Sequence, residues 1–367
     1  MKPFSAVAEP HRDIFEKKLR MDVFAADLWY VFKGEGPDEY KDPNLFFKKS
    51  YLTQGLKNVL DIAEMRLNGE GGDPVVQLQT PFGGGKTHTL IALYHKAREM
   101  GANVVVIDGT ALDPKDVTIW EELERQLTGE IVKLKGQTSP GKDKIRNLLA
   151  PEQPLIILID ELLEYATKAS GIIVGDNNLA SQLLAFIQEL TAAISTIEKS
   201  MMILTLPSSE TEHFDSEAEA LYHNLTTKIQ KIVGRVEMIY TPVQDEEIYP
   251  VIRRRLFSHI DEKEAENIVD AFIDYADKDK ILPKRIDKSE YKKKFLKSYP
   301  FQPEVIDILY TRWGSYPEFQ RTRGVLRFLS LIVNSLRESK NSLIRLSDFD
   351  LNNELIKREL LKYAGHE

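Results

Sequence analysis

The sequence predicts an α/β fold, a parallel sheet with helices on both faces, followed by an all-helical region. Three observations carry that expectation. Unbroken apolar runs such as Val104-Val105-Val106-Ile107, Leu155-Ile156-Ile157-Leu158-Ile159 and Met201-Met202-Ile203-Leu204 alternate with helix-length stretches, the pattern of strands buried on both faces. Beyond Asp245 such runs stop and the apolar spacing becomes helical. The composition, 42% hydrophobic and 29% charged, is that of a globular protein and excludes disorder, collagen and a membrane bundle.

Element by element, residues 1–73 read as a polar, aromatic-containing lead-in that ends in a helix from Tyr51 to Leu67, with Leu52, Leu56, Val59, Leu60 and Ala63 on one face. Gly69 to Asp73 is a chain breaker. A strand follows from Pro74 to Gln79, then a glycine cluster and a helix from Lys86 to Met100. Alternation continues through a strand at Asn103 to Asp108, a helix near Val117 to Leu127 and a strand at Leu155 to Asp160. A helix at Leu179 to Ile197, a strand at Met201 to Leu206, a helix at Ser216 to Val233 and a last strand at Val236 to Tyr240 complete the sheet region. Helical spacing then covers Asp245 to Ile260, Glu262 to Tyr275, Tyr291 to Lys297, Pro303 to Trp313 and Gly324 to Ser339, with no strand expected among them. Three segments result: a lead-in and helical cover (1–73), an α/β domain (74–242) and a helical lid (243–367).

Charge and cysteine usage narrow the function classes. With 49 Lys+Arg against 57 Asp+Glu the net charge is −8, so no overall basic field favours nucleic acid, and any such contact must be local. Lys284 to Lys297 holds seven basic and two acidic residues; it reads as a solvated helix face, with a nucleic-acid backbone as the alternative. Zero cysteines exclude disulfides, a thiolate nucleophile and Cys-ligated zinc. No apolar run approaches the ~18 residues of a spanning helix. The N-terminus carries charges where a signal peptide needs its apolar region, so the expected location is cytoplasmic and away from membranes.

Chemistry concentrates at Thr80-Pro81-Phe82-Gly83-Gly84-Gly85-Lys86-Thr87, between the first sheet strand and its helix, the context of a nucleoside-triphosphate phosphate loop. Consecutive glycines let successive backbone N–H groups turn around phosphate oxygens. Lys86 would reach the β- and γ-phosphates, Thr87 would give its hydroxyl to Mg²⁺, and the helix dipole would face the anion. Thr80 stands where the full pattern has glycine, and Pro81 stiffens the entry, so the bend falls on Gly83 to Gly85. The binding segment is therefore Pro81, Phe82, Gly83, Gly84, Gly85, Lys86, Thr87 and His88, the last with no chemical role of its own.

Two strands end in aspartate. Chain order makes Val104 to Asp108 the intervening strand, with Asp108 a turn residue, and Asp160 the carboxylate that holds Mg²⁺ through water. Alternation along the strand would put Glu161 opposite Asp160, where it could polarise a water for attack on the γ-phosphate. A helix N-terminus favoured by the dipole is the plainer account of the same two carboxylates.

These motifs resemble the AAA+ branch of P-loop ATPases over nearly the whole chain. More narrowly, TPFGGGKTHTL, FFKKSYLT, IDELLEY, DEEIYPVIRRRLF and FQRTRGVLRFL resemble a prokaryotic family of large AAA+-like ATPases with a domain of unknown function. Some of its members occur in anti-phage defence gene clusters. Members are often much longer, which implies the ATPase module of a larger protein. The resemblance implies further roles: Ser208 or Thr205, at the end of a strand lying between the other two functional strands, as the γ-phosphate sensor; Arg235 as an arginine finger into a neighbouring subunit; and Arg327, after Gly324, as a second sensor on the lid, with Arg321 and Arg323 as its neighbours. The expected catalytic set is Glu161, Lys86, Arg327, Arg235 and Ser208, with Thr87 and Asp160 on the metal.

The expected activity is Mg²⁺-dependent ATP hydrolysis driving conformational change in a partner or nucleic acid, in a homo-oligomer or beside another ATPase subunit. A nucleotide-controlled switch with low turnover is the alternative, and a P-loop kinase is disfavoured by Glu161 and the long lid. The partner, protein or DNA, is left open by the sequence.

Overall fold

The computed structural model describes residues 1–15, 26–80, 85–207, 216–233, 237–240, 247–282, 287–315, 319 and 322–364. Two compact units emerge: Ala26–Pro43 with Leu52–Val243, and Met1–Ala25 with Asn44–Tyr51 and Gln244–Glu367.

The first unit is built on five strands: β1 (Val75–Thr80), β2 (Asn103–Asp108), β3 (Leu155–Asp160), β4 (Ser200–Pro207) and β5 (Glu237–Tyr240). Their spatial order is β2-β3-β4-β1-β5, and every neighbouring pair is parallel. Each strand is therefore fed by a helical crossover. Helices α1 (Gln54–Asn68), α2 (Lys86–Glu99), α3 (Ile119–Thr128), α4 (Lys142–Leu149), α5 (Leu162–Ser170), α6 (Leu179–Ile194) and α7 (Ser216–Val233) supply the outer layers. The parallel sheet with its helical layers is the α/β arrangement that the sequence predicts, and β4 does lie between the strand that enters the phosphate loop and the strand that ends in Asp160.

Two-sided burial explains the apolar runs. All six residues of β3 are buried. Val105, Ile107, Ile157, Ile159, Met202 and Leu204 point into one core shared with α3 to α7, while α1 and α2 lie against strands from the other face. At the heart of that core Trp120 and Phe186 pack with ring centroids 5.3 Å apart, and the indole N–H is satisfied by the Gly136 carbonyl at 2.8 Å. Each such fully buried side chain contributes about 1.5–3 kcal/mol over its exposed state.

Local chemistry fixes the ends of these helices. Thr53 caps α1 by accepting from Leu56 N, and Thr118 with Glu121 forms a reciprocal capping box on α3. On the outer edge of β2, the Gln126 side chain accepts from Val106 N at 2.9 Å and donates to Val106 O at 2.7 Å. The loop after α3 is organised by buried Glu124, which accepts from the amides of Val132, Lys133 and Leu134.

The second unit is mostly helical: α8 (Ile248–Leu256), α9 (Glu262–Lys278), α10 (Lys288–Ser298), Pro303–Asp307 running into a π turn at Ile308–Arg312, α11 (Thr322–Ser335) and α12 (Glu354–Ala364). Contrary to the all-helical expectation it also holds a strand, Phe257–Ile260, paired antiparallel with Ala8–Pro10. Phe4, Val7, Ala8 and Ile14 are buried in the same apolar cluster as α8, α9 and α11, so the first residues of the chain complete this core. The lead-in is thus divided, residues 1–25 and 44–51 going to this unit and the remainder to the sheet unit.

Candidate nucleotide site

The end of β1 and the start of α2 frame the phosphate loop. Thr80 is the last residue of β1, in register with Pro207 of β4. Gly85 takes a left-handed conformation, φ 87°, as it turns the chain into α2. A side chain with a Cβ resists that geometry, which accounts for glycine immediately before Lys86. Pro81, Phe82, Gly83 and Gly84 lie outside the described residues. Lys86, Thr87 and His88 form the first turn of the fourteen-residue α2, all half-buried.

The chain brings this turn against the end of β3. Asp160 is only 2% exposed, and both Thr87 and the Lys86 charge act on its carboxyl. Burial raises the Asp160 pKa; hydrogen bonds from Thr205 and Thr87 and the Lys86 charge oppose that rise, and Asp108 adds to it. The Thr205 hydroxyl donates to Asp160 Oδ1 at 2.6 Å. A buried carboxylate beside a lysine, a threonine hydroxyl and a helix N-terminus is a donor set suited to Mg²⁺ held by few protein groups together with phosphate and water. ATP and Mg²⁺ fit these residues on that chemistry.

Glu161 departs from the alternation argument. It is not a strand residue: at φ 49°, ψ 38° it is the left-handed N-cap of α5. Its N–H donates to Asp160 Oδ1 at 3.2 Å and to Thr205 Oγ1 at 3.3 Å, and its carboxylate makes no capping bond to α5. Its side chain is therefore not consumed in closing the helix. Asp108 is the turn residue expected of it, its Oδ1 accepting from Thr110 N, Thr110 Oγ1 and Ala111 N. Lys168 Nζ donates to the carbonyls of Gly109 and Thr110, both at 3.2 Å.

Ser208, Arg235 and Arg321 lie outside the described residues; Thr205, the other sensor candidate, is the one whose hydroxyl meets Asp160. In the helical unit, Gly324 lets α11 meet Phe319, since a Cβ there would stand 1.9 Å from the Phe319 carbonyl oxygen. Arg327, one turn on, has its Nε 2.5 Å from Oε1 of buried Glu359 on α12, and Lys362 also binds Glu359 at 2.8 Å. Three lysines of the basic stretch are in ion pairs: Lys288 pairs with Asp274 and Asp277, Lys292 with Glu266 and Asp270, and Lys294 with Asp307. Among the described residues no helix is long and apolar enough to cross a membrane.

The site residue that the sequence reading missed is Gly109, which donates to the Asp160 carbonyl at 3.0 Å. Its only signal was position, directly after a strand that ends in aspartate.

Several solved structures are similar to the chain at low identity. ORC1 of Aeropyrum pernix, solved in complex with DNA, is 15% identical, with a TM-score of 0.44 over 94% of this chain and 69% of that one. A mutant RuvB of Thermotoga maritima is 13% identical, with a TM-score of 0.35 over 87% and 71%. PCH-2 of C. elegans is 10% identical, with a TM-score of 0.33 over 84% and 68%. No curated protein matches the sequence. The family model for the DUF499 N-terminal domain matches residues 7–132 and 112–240, and that for the DUF499 second domain matches residues 243–366. On the combined span of the two models the chain belongs to the DUF499 family.

Proposed function

We propose that the chain is a Mg²⁺-dependent ATPase of AAA+ type. One observation carries the reading: α2, headed by Lys86 and Thr87, follows the end of β1, and both residues act on the carboxyl of buried Asp160 at the end of β3. Gly85, Lys86 and the α2 amides bind the triphosphate; Thr87 and Asp160 hold the metal; Lys86 offsets charge on the β- and γ-oxygens. Bound Mg²⁺ supplies neutralisation of charge that develops on the phosphoryl oxygens. Glu161 accepts the proton of the attacking water at its carboxylate, and Thr205 fixes the backbone from which that carboxylate extends.

Arg235 is assigned to a neighbouring subunit's nucleotide, Ser208 to the γ-phosphate and Arg327 to the lid, on the resemblance to AAA+ ATPases. Arg327 is already engaged by Glu359, so its role in turnover includes exchange of that partner. The output is conformational change in a protein or nucleic-acid partner by an oligomer; defence against phage is proposed from family resemblance alone.

Lys86→Ala should abolish binding of a fluorescent ATP analogue. Glu161→Gln should bind it and lose about 10²–10⁴-fold in turnover. Equal phosphate release by parent and Glu161→Gln rules out water activation by Glu161, and negligible release by both favours the low-turnover switch. Arg235→Ala should remove any rise of specific activity with protein concentration.

A further inference from the structure

Gly109 sits at a point where two backbones meet. A Cβ built on it would stand 1.9 Å from the carbonyl oxygen of Glu161 and 2.8 Å from its carbonyl carbon. Both are main-chain atoms, so no rotamer change relieves the clash. Neither backbone has room to retreat. On the Gly109 side, Asp108 Oδ1 ties down Thr110 and Ala111, Lys168 holds the Gly109 and Thr110 carbonyls, and Gly109 N–H is bound to the Asp160 carbonyl. Across the contact, the Glu161 carbonyl accepts from Glu164 N at 3.1 Å as the first turn of α5 begins.

Glu161 itself is in the left-handed region at φ 49°, a conformation that a residue with a Cβ keeps only where its surroundings impose it. The sequence offers no local reason for it, since glutamate is not among the residues that favour this region. We infer that Gly109 is a positioning residue: its bare Cα is the seat on which the Glu161 peptide rests, and that seat sets where the Glu161 carboxylate starts from. The inference rests on the ATPase reading for its purpose, and on geometry alone for the seat. In catalysis a displacement of about 1 Å costs about 10²-fold in rate.

Gly109→Ala tests it with two readouts. In a crystal structure of the nucleotide-free variant, the Glu161 carbonyl should move by about 1 Å or more, or its φ leave the positive region, because ordinary contacts require that separation. In steady-state kinetics kcat should fall about 10²-fold while KM for ATP stays within about threefold, since Lys86 and Thr87 are untouched. Combined with Glu161→Gln, the alanine should cost nothing further, an outcome that general destabilisation does not produce. Lys168→Gln, which loosens the turn without adding an atom against Glu161, should lower kcat about threefold to tenfold at unchanged KM, and it carries the test should the alanine variant not fold. An unmoved Glu161 or unchanged kcat in Gly109→Ala overturns the inference, as does an unchanged kcat in Lys168→Gln where that variant carries the test. A parent chain with no turnover instead overturns the ATPase reading and catalysis as the purpose of the seat, and the crystal readout still decides whether the seat exists.

Discussion

The Thr205 hydroxyl lies 2.6 Å from Oδ1 of Asp160. The Thr205 hydroxyl oxygen also accepts the Glu161 amide at 3.3 Å, so one side chain on the middle strand of the sheet holds two adjacent acidic residues in fixed relation. Thr205→Val keeps the shape and removes both bonds. Leaving a buried charged acceptor short of a donor costs about 1.5–3 kcal/mol, which is roughly ten- to a hundredfold in rate if expressed in the transition state. Steady-state phosphate release should show that loss, with Thr205→Ser restoring most of it; full activity in the valine variant would show the bond to be idle.

Asp160 should oppose stability in the absence of ligand. Its pKa is raised from 3.8 by burial, so the native carboxyl holds its proton more tightly than the unfolded one, and the ionised form costs stability as pH rises through the native value. Asp160→Asn should raise the melting temperature by a few degrees near neutral pH, with the gain shrinking as pH falls toward 3.8. Mg-ATP should stabilise the parent more than the asparagine variant, which keeps the triphosphate-binding groups but loses a metal-holding carboxylate.

Arg327 and Glu359 should behave as a unit. Removing one member of a buried ion pair costs about 3–5 kcal/mol. Urea melts should give similar losses for Arg327→Ala and Glu359→Ala and little further loss in the double variant. Activity of Arg327→Ala is therefore to be compared with Glu359→Ala, which carries the same structural loss without deleting the arginine.

Glu124 is only 1% exposed and takes three consecutive amides, at 3.1, 2.7 and 2.7 Å. Glu124→Ala should destabilise the sheet unit by about 2–3 kcal/mol. Limited proteolysis should then cut near Val132 and Lys133, and unchanged protection there would show the loop to be held by other contacts.

His95 links stability to pH from the acid side. Its pKa is lowered from 6.5 by burial, an effect partly offset by the bond from Nε2 to the Tyr40 carbonyl at 2.7 Å. A depressed native value means that its contribution is present above 6.5 and is lost as pH falls below it. His95→Gln should flatten the melting-temperature profile over that range.

Much of the sheet was legible because two-sided burial demands continuous apolar residues, and Val104 to Ile107, Leu155 to Ile159 and Met201 to Leu206 supply them. The strand Phe257–Ile260 was not. Its partner, Ala8–Pro10, is three residues long and lies at the far end of the sequence, so no local pattern announces the pairing. Lys86, Thr87 and Asp160 were legible because phosphate and metal chemistry restrict the residue types. The conformation of Glu161 was not, because it is set by Gly109 across the turn, and no residue beside Glu161 in the sequence marks a left-handed backbone there. The ion pair of Arg327 was likewise hidden, Glu359 lying on a helix with no motif of its own.

The amide of Gln126 has a consequence for how copies of the chain can meet. β2 is an edge strand, and an open edge invites a strand from another molecule. Gln126 occupies both the donor and the acceptor of Val106, the outward-facing pair at the middle of that edge. An incoming peptide must break both bonds before it gains any. Growth of the sheet by intermolecular augmentation is therefore discouraged at β2, which leaves helical and loop surfaces for contacts made along that side.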